Sequence, residues 1–101
     1  MRLRHKFNAI RSEFDGIKFP SKKECKRYQQ LKLLRESGEI VFFLRQVPFH
    51  LPGNVKYVCD FVIFWSDGNV TIEDVKGMKT SVYIAKKKMV EAIYPIKITE
   101  I

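Results

Sequence analysis

The sequence has few of the residues that define several large classes of small protein. Its two cysteines, Cys25 and Cys59, are too few for a disulfide scaffold, and neither belongs to a CxxC pair. The two histidines, His5 and His50, lie too far apart to give the spacing of a zinc site. Only 5 glycines and 4 prolines occur, with 46% hydrophobic residues, which argues against disordered, collagen-like and low-complexity chains. We therefore expect a folded protein with two ordinary, reduced thiols.

Long apolar runs are also missing. No run approaches the roughly 18 residues that a membrane-spanning helix requires, so we expect no membrane attachment. The first residues, MRLRHKFNAIRSEFDG, carry basic side chains without a following apolar segment, unlike a secretory signal. A chain of 101 residues is long enough for one hydrophobic core. We predict a single domain over residues 1–101 that works in the cytoplasm.

The charge is strongly of one sign. Nineteen Lys and Arg residues against eleven Asp and Glu residues leave a formal net charge of +8. A basic excess of this size on a small surface indicates a polyanionic partner, nucleic acid before an anionic membrane. Basic structural proteins of the ribosomal type have the same balance, so charge alone does not define the function.

Turn, cap and β-branched residues predict one α/β chain with a mixed sheet. Its elements come in the order short hairpin, helix, three strands, helix and strand. The predicted ranges are 13–19 for the hairpin, 22–36 and about 81–93 for the helices, and 40–50, 56–65, 70–76 and 96–101 for the strands. Pro48 predicts that the first long strand lies at a sheet edge or is broken there.

Both helices have start signals. Ser21 is the predicted N-cap of the first helix, with Glu24 as the acid of a capping box. The second helix is predicted to begin at Thr80 or Ser81. This helix carries apolar residues at helical spacing, namely Val82, Ala85, Met89, Ala92 and Ile93.

Asp60 is the unusual residue of the sequence. It lies in the middle of the most hydrophobic strand, YVCDFVIFW, although Asp is depleted in strands and a buried carboxylate is costly unless it is paired or bound to a metal. A second acidic group, Glu73-Asp74, occurs in the next strand, just before Lys76. Two neighbouring strands thus carry acids within apolar sequence.

The turn between these strands determines which acids meet. If Ser66-Asp67-Gly68 is a three-residue loop with a left-handed glycine, Asp60 lies opposite Asp74, with Cβ atoms about 4.5–5.5 Å apart. Lys76 then lies on the same face, whereas Glu73 points to the other face and is expected to be exposed. A two-residue Asp67-Gly68 loop would instead put Asp60 and Asp74 on opposite faces.

Two facing carboxylates repel, and both stay ionised most easily with a cation between them. Oxygen ligands suit Mg²⁺ or Mn²⁺, which can polarise a phosphoryl oxygen and help to generate hydroxide from bound water. Lys76 could orient that water or stabilise charge on the phosphate. In a basic protein, this group of residues favours phosphodiester hydrolysis.

Asp60 followed by Asp74-Val75-Lys76 resembles the PD-(D/E)XK nuclease superfamily, whose restriction-endonuclease-like core is a helix, a three-stranded meander, a helix and a strand. The motifs F-x-S-x-x-E, D-F and E-D-V-K-G-x-x-T are similar to those of small phage and prophage nuclease-like proteins. The resemblance implies that Asp60, Asp74 and the Val75 backbone carbonyl bind the metal and that Lys76 is catalytic. It also implies that Glu24 contacts the metal or its water. Residue 59 is Cys where the superfamily's name has Pro.

The function that this resemblance implies is a Mg²⁺- or Mn²⁺-dependent endodeoxyribonuclease of phage or prophage origin, acting in the bacterial host. It would serve DNA recombination or processing, with branched DNA such as Holliday junctions as a candidate substrate. A homodimer is expected, since it would supply two sites for two strands. The alternatives are a nucleic-acid-binding module with a degenerate site and a basic structural protein.

Four further residues are candidate DNA contacts because they follow or flank the proposed site, namely Gln46, Lys79, Thr80 and Lys86. Each has a structural alternative. Gln46 can serve as a strand hydrogen-bonder, Thr80 as a helix cap, and Lys86 as part of a solvated helix face. Lysines that reach phosphates bind without reading sequence.

Overall fold

A computed structural model describes residues 12–76 and 78–101 as a mixed α+β fold with two helices and two sheets. The first sheet is a hairpin of β1 (Ser12–Phe14) and β2 (Ile17–Phe19). The helices are α1 (Lys22–Glu36) and α2 (Ser81–Ile93). The second sheet contains β3 (Ile40–Leu51), β4 (Val55–Trp65), β5 (Val70–Asp74) and β6 (Ile98–Glu100).

The predicted element order and both predicted helix ranges are confirmed. The helix starts were predictable because each helix has an N-cap residue in the sequence. The Ser21 hydroxyl accepts a hydrogen bond from the Glu24 amide at 3.2 Å, and Thr80 does the same for Tyr83 at 3.1 Å. The third and last strands of the large sheet are shorter than the sequence predicts. No helix in the described ranges is long and apolar enough to cross a membrane.

The four-stranded sheet has the order β3-β4-β5-β6. Strands β3, β4 and β5 form an antiparallel meander, and β6 pairs parallel to β5 after the crossover through α2. Strand β3 continues through Pro48, which pairs with Val58. Of the two predicted outcomes, an edge strand or a break at Pro48, the structure shows the edge strand. An edge strand tolerates the missing amide of proline.

Helices cover both faces of this sheet. Neighbouring residues of β4 point to opposite sides: Phe61 packs with Tyr28 and Leu31 of α1, whereas Val62 packs with Tyr83 and Val90 of α2. The result is two separate apolar clusters with the sheet between them, as expected for a sheet whose strands are buried on both sides.

In the middle of β3 and β4, the regular alternation of side chains between the two sheet faces is interrupted by one residue. Arg45 lies over the ring of Phe19 on the α1 side, yet Val47 packs on the α2 side, although residues two apart normally share a face. In β4 the same change separates Cys59 from Phe61. The pairing register is the same before and after this point, so both strands slip together, at Gln46 and Asp60.

Helix α2 buries residues other than the apolar set noted in the sequence. Its buried residues are Tyr83 and Val90, whereas Val82 and Ile93 are 62% and 51% exposed. The apolar set noted in the sequence therefore faces outward.

Candidate functional site

The hairpin between β4 and β5 has the predicted register. Gly68 adopts φ +95° in a three-residue loop, and the Trp65 amide donates to the Asn69 carbonyl at 2.8 Å. The ladder continues to Phe61 opposite Glu73, one step before Asp60 and Asp74. The alternative two-residue loop is excluded, and the same register places Asp60 and Asp74 at the point where β4 and β5 separate.

Asp74 is the most deeply buried acid of the site. Its side chain is 0% exposed, and neither carboxylate oxygen has a hydrogen-bond partner among the described residues. The nearest cation is Lys76, whose Nζ lies 3.8 Å from Asp74 Oδ1. Burial raises the pKa of Asp74 to about 6, against the opposing effects of the Lys76 charge and of the Asp60 backbone amide nearby. Without a further cation, this carboxylate is poorly compensated.

Asp60 is half-buried and fully hydrogen-bonded. Its Oδ2 accepts from the Val75 amide at 2.8 Å, and its Oδ1 accepts from the side-chain amide of Gln46 at 3.3 Å. The first bond links β4 to the chain directly after β5, beyond the end of the regular ladder. Asp60 thus holds the Asp74-Val75-Lys76 segment against its own strand.

Glu24 joins the site from the first turn of α1. Its side chain points toward the sheet, where Oε2 accepts from Gln46 Nε2 at 3.3 Å and lies 3.8 Å from Arg45 Nη2. Burial raises the pKa of Glu24 to about 7, with the negative charge of Asp60 adding to the effect and Arg45 opposing it. Half of the capping-box prediction holds, since Ser21 bonds the Glu24 amide while the carboxylate faces the sheet.

Gln46 bridges the two acids. One side-chain nitrogen contacts both Glu24 and Asp60, so an amide from β3 ties helix α1 to strand β4. Gln46 has φ +52°, a left-handed conformation that is uncommon outside glycine and often marks functional positions. The slip in β3 therefore aims this side chain at the acids.

The last strand supports the other side of the site. The Ile101 amide donates to the Asp74 carbonyl at 2.9 Å, and the Lys76 amide donates to the Ile101 carbonyl at 3.1 Å. The Lys76 ammonium lies 4.4 Å from the centre of the Tyr83 ring, a cation–π contact from α2. Backbone pairing and this contact restrict Lys76 to the neighbourhood of Asp74.

The other candidate DNA contacts lie outside the acid cluster. Lys79 pairs with Glu100 at 2.9 Å, and Thr80 is occupied as the cap of α2. Lys86 lines a groove that also contains Lys76. Of the four candidates, only Gln46 touches the predicted acids directly.

Glu73 corrects one expectation. It points to the face opposite Asp74, as predicted, but it is buried rather than exposed. Arg27 of α1 donates to both of its carboxylate oxygens, at 2.8 and 2.7 Å. This bidentate pair attaches α1 to β5. The sequence gives no sign of it, because Arg27 and Glu73 lie 46 positions apart.

Three residues near the site were not predicted, namely Arg45, Tyr83 and Glu100. Arg45 neutralises part of the charge of Glu24, and the Tyr83 hydroxyl donates to Glu100 at 2.7 Å. Glu100 pairs with Asp74 in the parallel ladder, and its charge contributes to the raised pKa of Asp74. Their role depends on the β5-β6 register and on the slip in β3, for which the sequence gives no local signal.

The donor set fits a cation that keeps most of its water. No three His, Cys, Asp or Glu side chains within the described ranges are arranged to hold a metal ion by themselves. A Mg²⁺-type site is commonly bound by one or two carboxylates, with water and phosphate oxygens completing the shell. The unpartnered oxygens of Asp74, beside Asp60, satisfy that smaller requirement.

The comparisons with known proteins define a family without defining an activity. A family model described as a protein of unknown function, DUF1064, matches residues 4–101, and the chain belongs to that family. No curated protein and no solved structure matches the chain.

Proposed function

We propose that this protein is a metal-dependent endodeoxyribonuclease of the PD-(D/E)XK type that hydrolyses phosphodiester bonds. The observation that carries the proposal is the carboxylate of Asp74, which is fully buried, has no hydrogen-bond partner among the described residues and lies 3.8 Å from the Lys76 ammonium. A buried acid without partners is costly, and a bound divalent cation is the group that would offset this cost.

The topology supports the same proposal. The order α1, β3-β4-β5 meander, α2 and β6 matches the helix, meander, helix and strand of a restriction-endonuclease-like core. The proposed ligands lie at the point where the second and third strands of the meander separate. Fold alone does not determine function, so the topology only strengthens what the residues suggest.

Asp60, Asp74 and the Val75 carbonyl are the proposed ligands of Mg²⁺ or Mn²⁺. The Val75 amide faces Asp60, and in an extended chain the carbonyl of a residue points to the same edge as its amide. When bound, the metal would polarise a phosphoryl oxygen and lower the pKa of a coordinated water. The three oxygen donors are hard ligands of the kind these ions prefer.

Lys76 and Glu24 have the chemistry to assist the attack. Lys76 provides a positive charge next to Asp74, where it would stabilise the charge that develops on the phosphate. Glu24, with a pKa of about 7, is close to half ionised at neutral pH. It is therefore suited to orient a water and accept a proton from it.

One observation favours the alternative, a nucleic-acid-binding module with a degenerate site. Both oxygens of Asp60 already accept hydrogen bonds, from Gln46 and from the Val75 amide. The acid is therefore satisfied by the protein itself. In the nuclease, the contact from Gln46 would have to be given up when Asp60 binds the metal.

The substrate and setting of the proposed enzyme are part of the same proposal. The net charge of +8 favours DNA as the partner, and the phage-type motifs favour branched intermediates of recombination in a bacterial cytoplasm. We also propose a homodimer, since one copy supplies one site and a duplex or junction has two strands to cut.

The decisive experiment measures cleavage of plasmid and Holliday-junction DNA with Mg²⁺, Mn²⁺ or a chelator. The wild type should cut only with the metal, and Asp74→Ala should abolish cutting. Asp67→Asn is the matched control, because this acid belongs to the exposed turn and binds Asn69 only. DNA binding without cleavage in every metal would overturn the proposal and support the non-catalytic module.

A further inference from the structure

A basic groove lies beside Lys76, between the start of β4 and the first turns of α2. Its polar and aromatic lining consists of Lys56, Tyr57, Lys76, Thr80, Tyr83 and Lys86. The remaining lining residues are valines, and none of the described residues that line the groove is acidic. Three ammonium groups therefore share this surface, and that of Lys76 also lies 3.8 Å from Asp74 Oδ1.

Tyr57 gives an independent indication that the groove binds something. Its side chain is 3% exposed, and its hydroxyl has no hydrogen-bond partner among the described residues. A buried hydroxyl without a partner costs free energy. Because Tyr57 lines the groove, we take a ligand bound there as the acceptor for this hydroxyl, which a small movement of the side chain would have to uncover.

The N-terminus of α2 adds to the positive potential. Thr80 caps this helix of 13 residues, and its first turn contains no acidic residue. Helix N-termini attract anions, most strongly when lysines lie nearby. The groove combines a hydroxyl donor, three ammonium groups and this dipole, which together suit a tetrahedral oxyanion.

We propose that this groove binds a phosphate of the nucleic-acid backbone next to the phosphate that is cleaved. The inference rests on the proposed function, because Lys76 belongs to both sites: its ammonium lies near Asp74 and also lines the groove. A phosphate held by Tyr57 and Lys86 would orient the strand so that the following phosphate faces the acids. This contact reads the backbone and carries no sequence preference.

The test measures the affinity of a labelled short duplex DNA by fluorescence anisotropy, with Ca²⁺ in place of Mg²⁺ so that binding can be followed without turnover. Tyr57→Phe and Lys86→Gln should each weaken binding roughly five- to tenfold. Lys86→Gln should also lower the slope of log affinity against log salt by about one.

Two matched controls keep this test specific. Lys88→Gln removes the same charge from an exposed position of α2 that does not line the groove. Tyr94→Phe removes a tyrosine hydroxyl that bonds the His50 carbonyl elsewhere. Both should bind DNA like the wild type.

The outcomes separate this inference from the nuclease proposal. If Lys88→Gln weakens binding as much as Lys86→Gln, or if both groove variants bind normally, the groove is not a phosphate site, whether or not the wild type cuts DNA. If the groove variants alone lose affinity and the wild type never cuts DNA, the groove stands and the nuclease fails. A wild type that binds no DNA at low salt overturns both.

Discussion

Asp74 and Glu24 are acids in places where the folded chain does not favour their charge. Asp74 has no hydrogen-bond partner among the described residues, and Glu24 has only Gln46 and a more distant Arg45. For Asp74, a pKa raised from 3.8 to about 6 corresponds to about 3 kcal/mol against the ionised form. The same environment that destabilises the metal-free protein would attract a cation.

The metal-free protein should therefore lose stability as the pH rises. The folded-state pKa values of about 6 for Asp74 and about 7 for Glu24 lie above the ordinary values of 3.8 and 4.5. The folded state then holds these protons more tightly than the unfolded state, so the stabilisation is full below about pH 4 and is lost as the pH rises through 6 to 7. Thermal unfolding in a chelator between pH 5 and 8 measures this effect.

Asp74→Asn should remove the part of this pH dependence that Asp74 contributes and leave the part due to Glu24. Mn²⁺ should raise the melting temperature of the wild type most at pH 8, where both acids are ionised. The same addition should leave Asp74→Asn nearly unchanged. A wild-type melting temperature that is constant or rises with pH in the chelator would contradict the inferred environment of the two acids.

Lys76 offers a second prediction for a single residue. Lys76→Gln should lower the rate of metal-dependent cleavage on the order of 100-fold, because the variant loses the positive charge next to the reacting phosphate. Uptake of Mn²⁺, followed by calorimetry, should persist, since Lys76 is not a proposed ligand. Cleavage at the wild-type rate would remove Lys76 from the mechanism, and Lys88→Gln serves as the charge-matched control.

Helix α1 is attached to the sheet through one buried ion pair. Arg27 donates to both oxygens of Glu73, whose side chain is 5% exposed, so the removal of one partner leaves the other charge buried and unpaired. Arg27→Met should cost about 3 kcal/mol in the free energy of unfolding, measured with urea. Arg27→Met combined with Glu73→Met should recover most of that loss.

An exposed pair on the same helix provides the comparison. Lys32 bonds Asp15 of the hairpin, but both side chains are more than a third exposed, so Lys32→Met should cost less than about 1 kcal/mol. If the double variant at Arg27 and Glu73 is no more stable than Arg27→Met alone, the pair does not act as a buried unit.

Elements marked by local chemistry were predictable from the sequence. The Ser21 cap, the Asp67-Gly68 turn and the alternation of β4 each depend on residues within a few positions of one another, and the register that opposes Asp60 to Asp74 followed from that turn. The slip at Gln46 and the burial of Glu73 depend on partners far away in the chain. The outward face of α2 could not be predicted, because helical spacing identifies an apolar stripe but not the surface that it meets.

Considered as a whole, the molecule leaves part of one sheet face uncovered. Three apolar side chains of this sheet are exposed: Phe42 at 37%, Leu44 at 44% and Val70 at 49%. The ring of Phe42 stacks on that of Phe64 in the next strand, with 4.4 Å between the ring centres. The cross-strand register puts these side chains on one face. An exposed apolar patch is where a second copy would bury surface, so we associate this face with the proposed homodimer.

Leu44→Lys should convert the dimer into a monomer, because it places a charge at the centre of the apolar face. Light scattering coupled to size-exclusion chromatography should give twice the mass of one chain for the wild type and a single mass for the variant. Leu33→Lys, at a 65% exposed position on α1, should remain dimeric. A monomeric wild type at high micromolar concentration would contradict the proposed assembly.

Strand β6 has a consequence for the timing of synthesis. Ile101 holds the backbone of Asp74 and Lys76, yet it leaves the ribosome after every other described element. A growing chain thus contains all the proposed ligands before it contains the strand that fixes them in place. For the proposed DNA nuclease, this order would delay assembly of the active site until β6 and Ile101 have been synthesised.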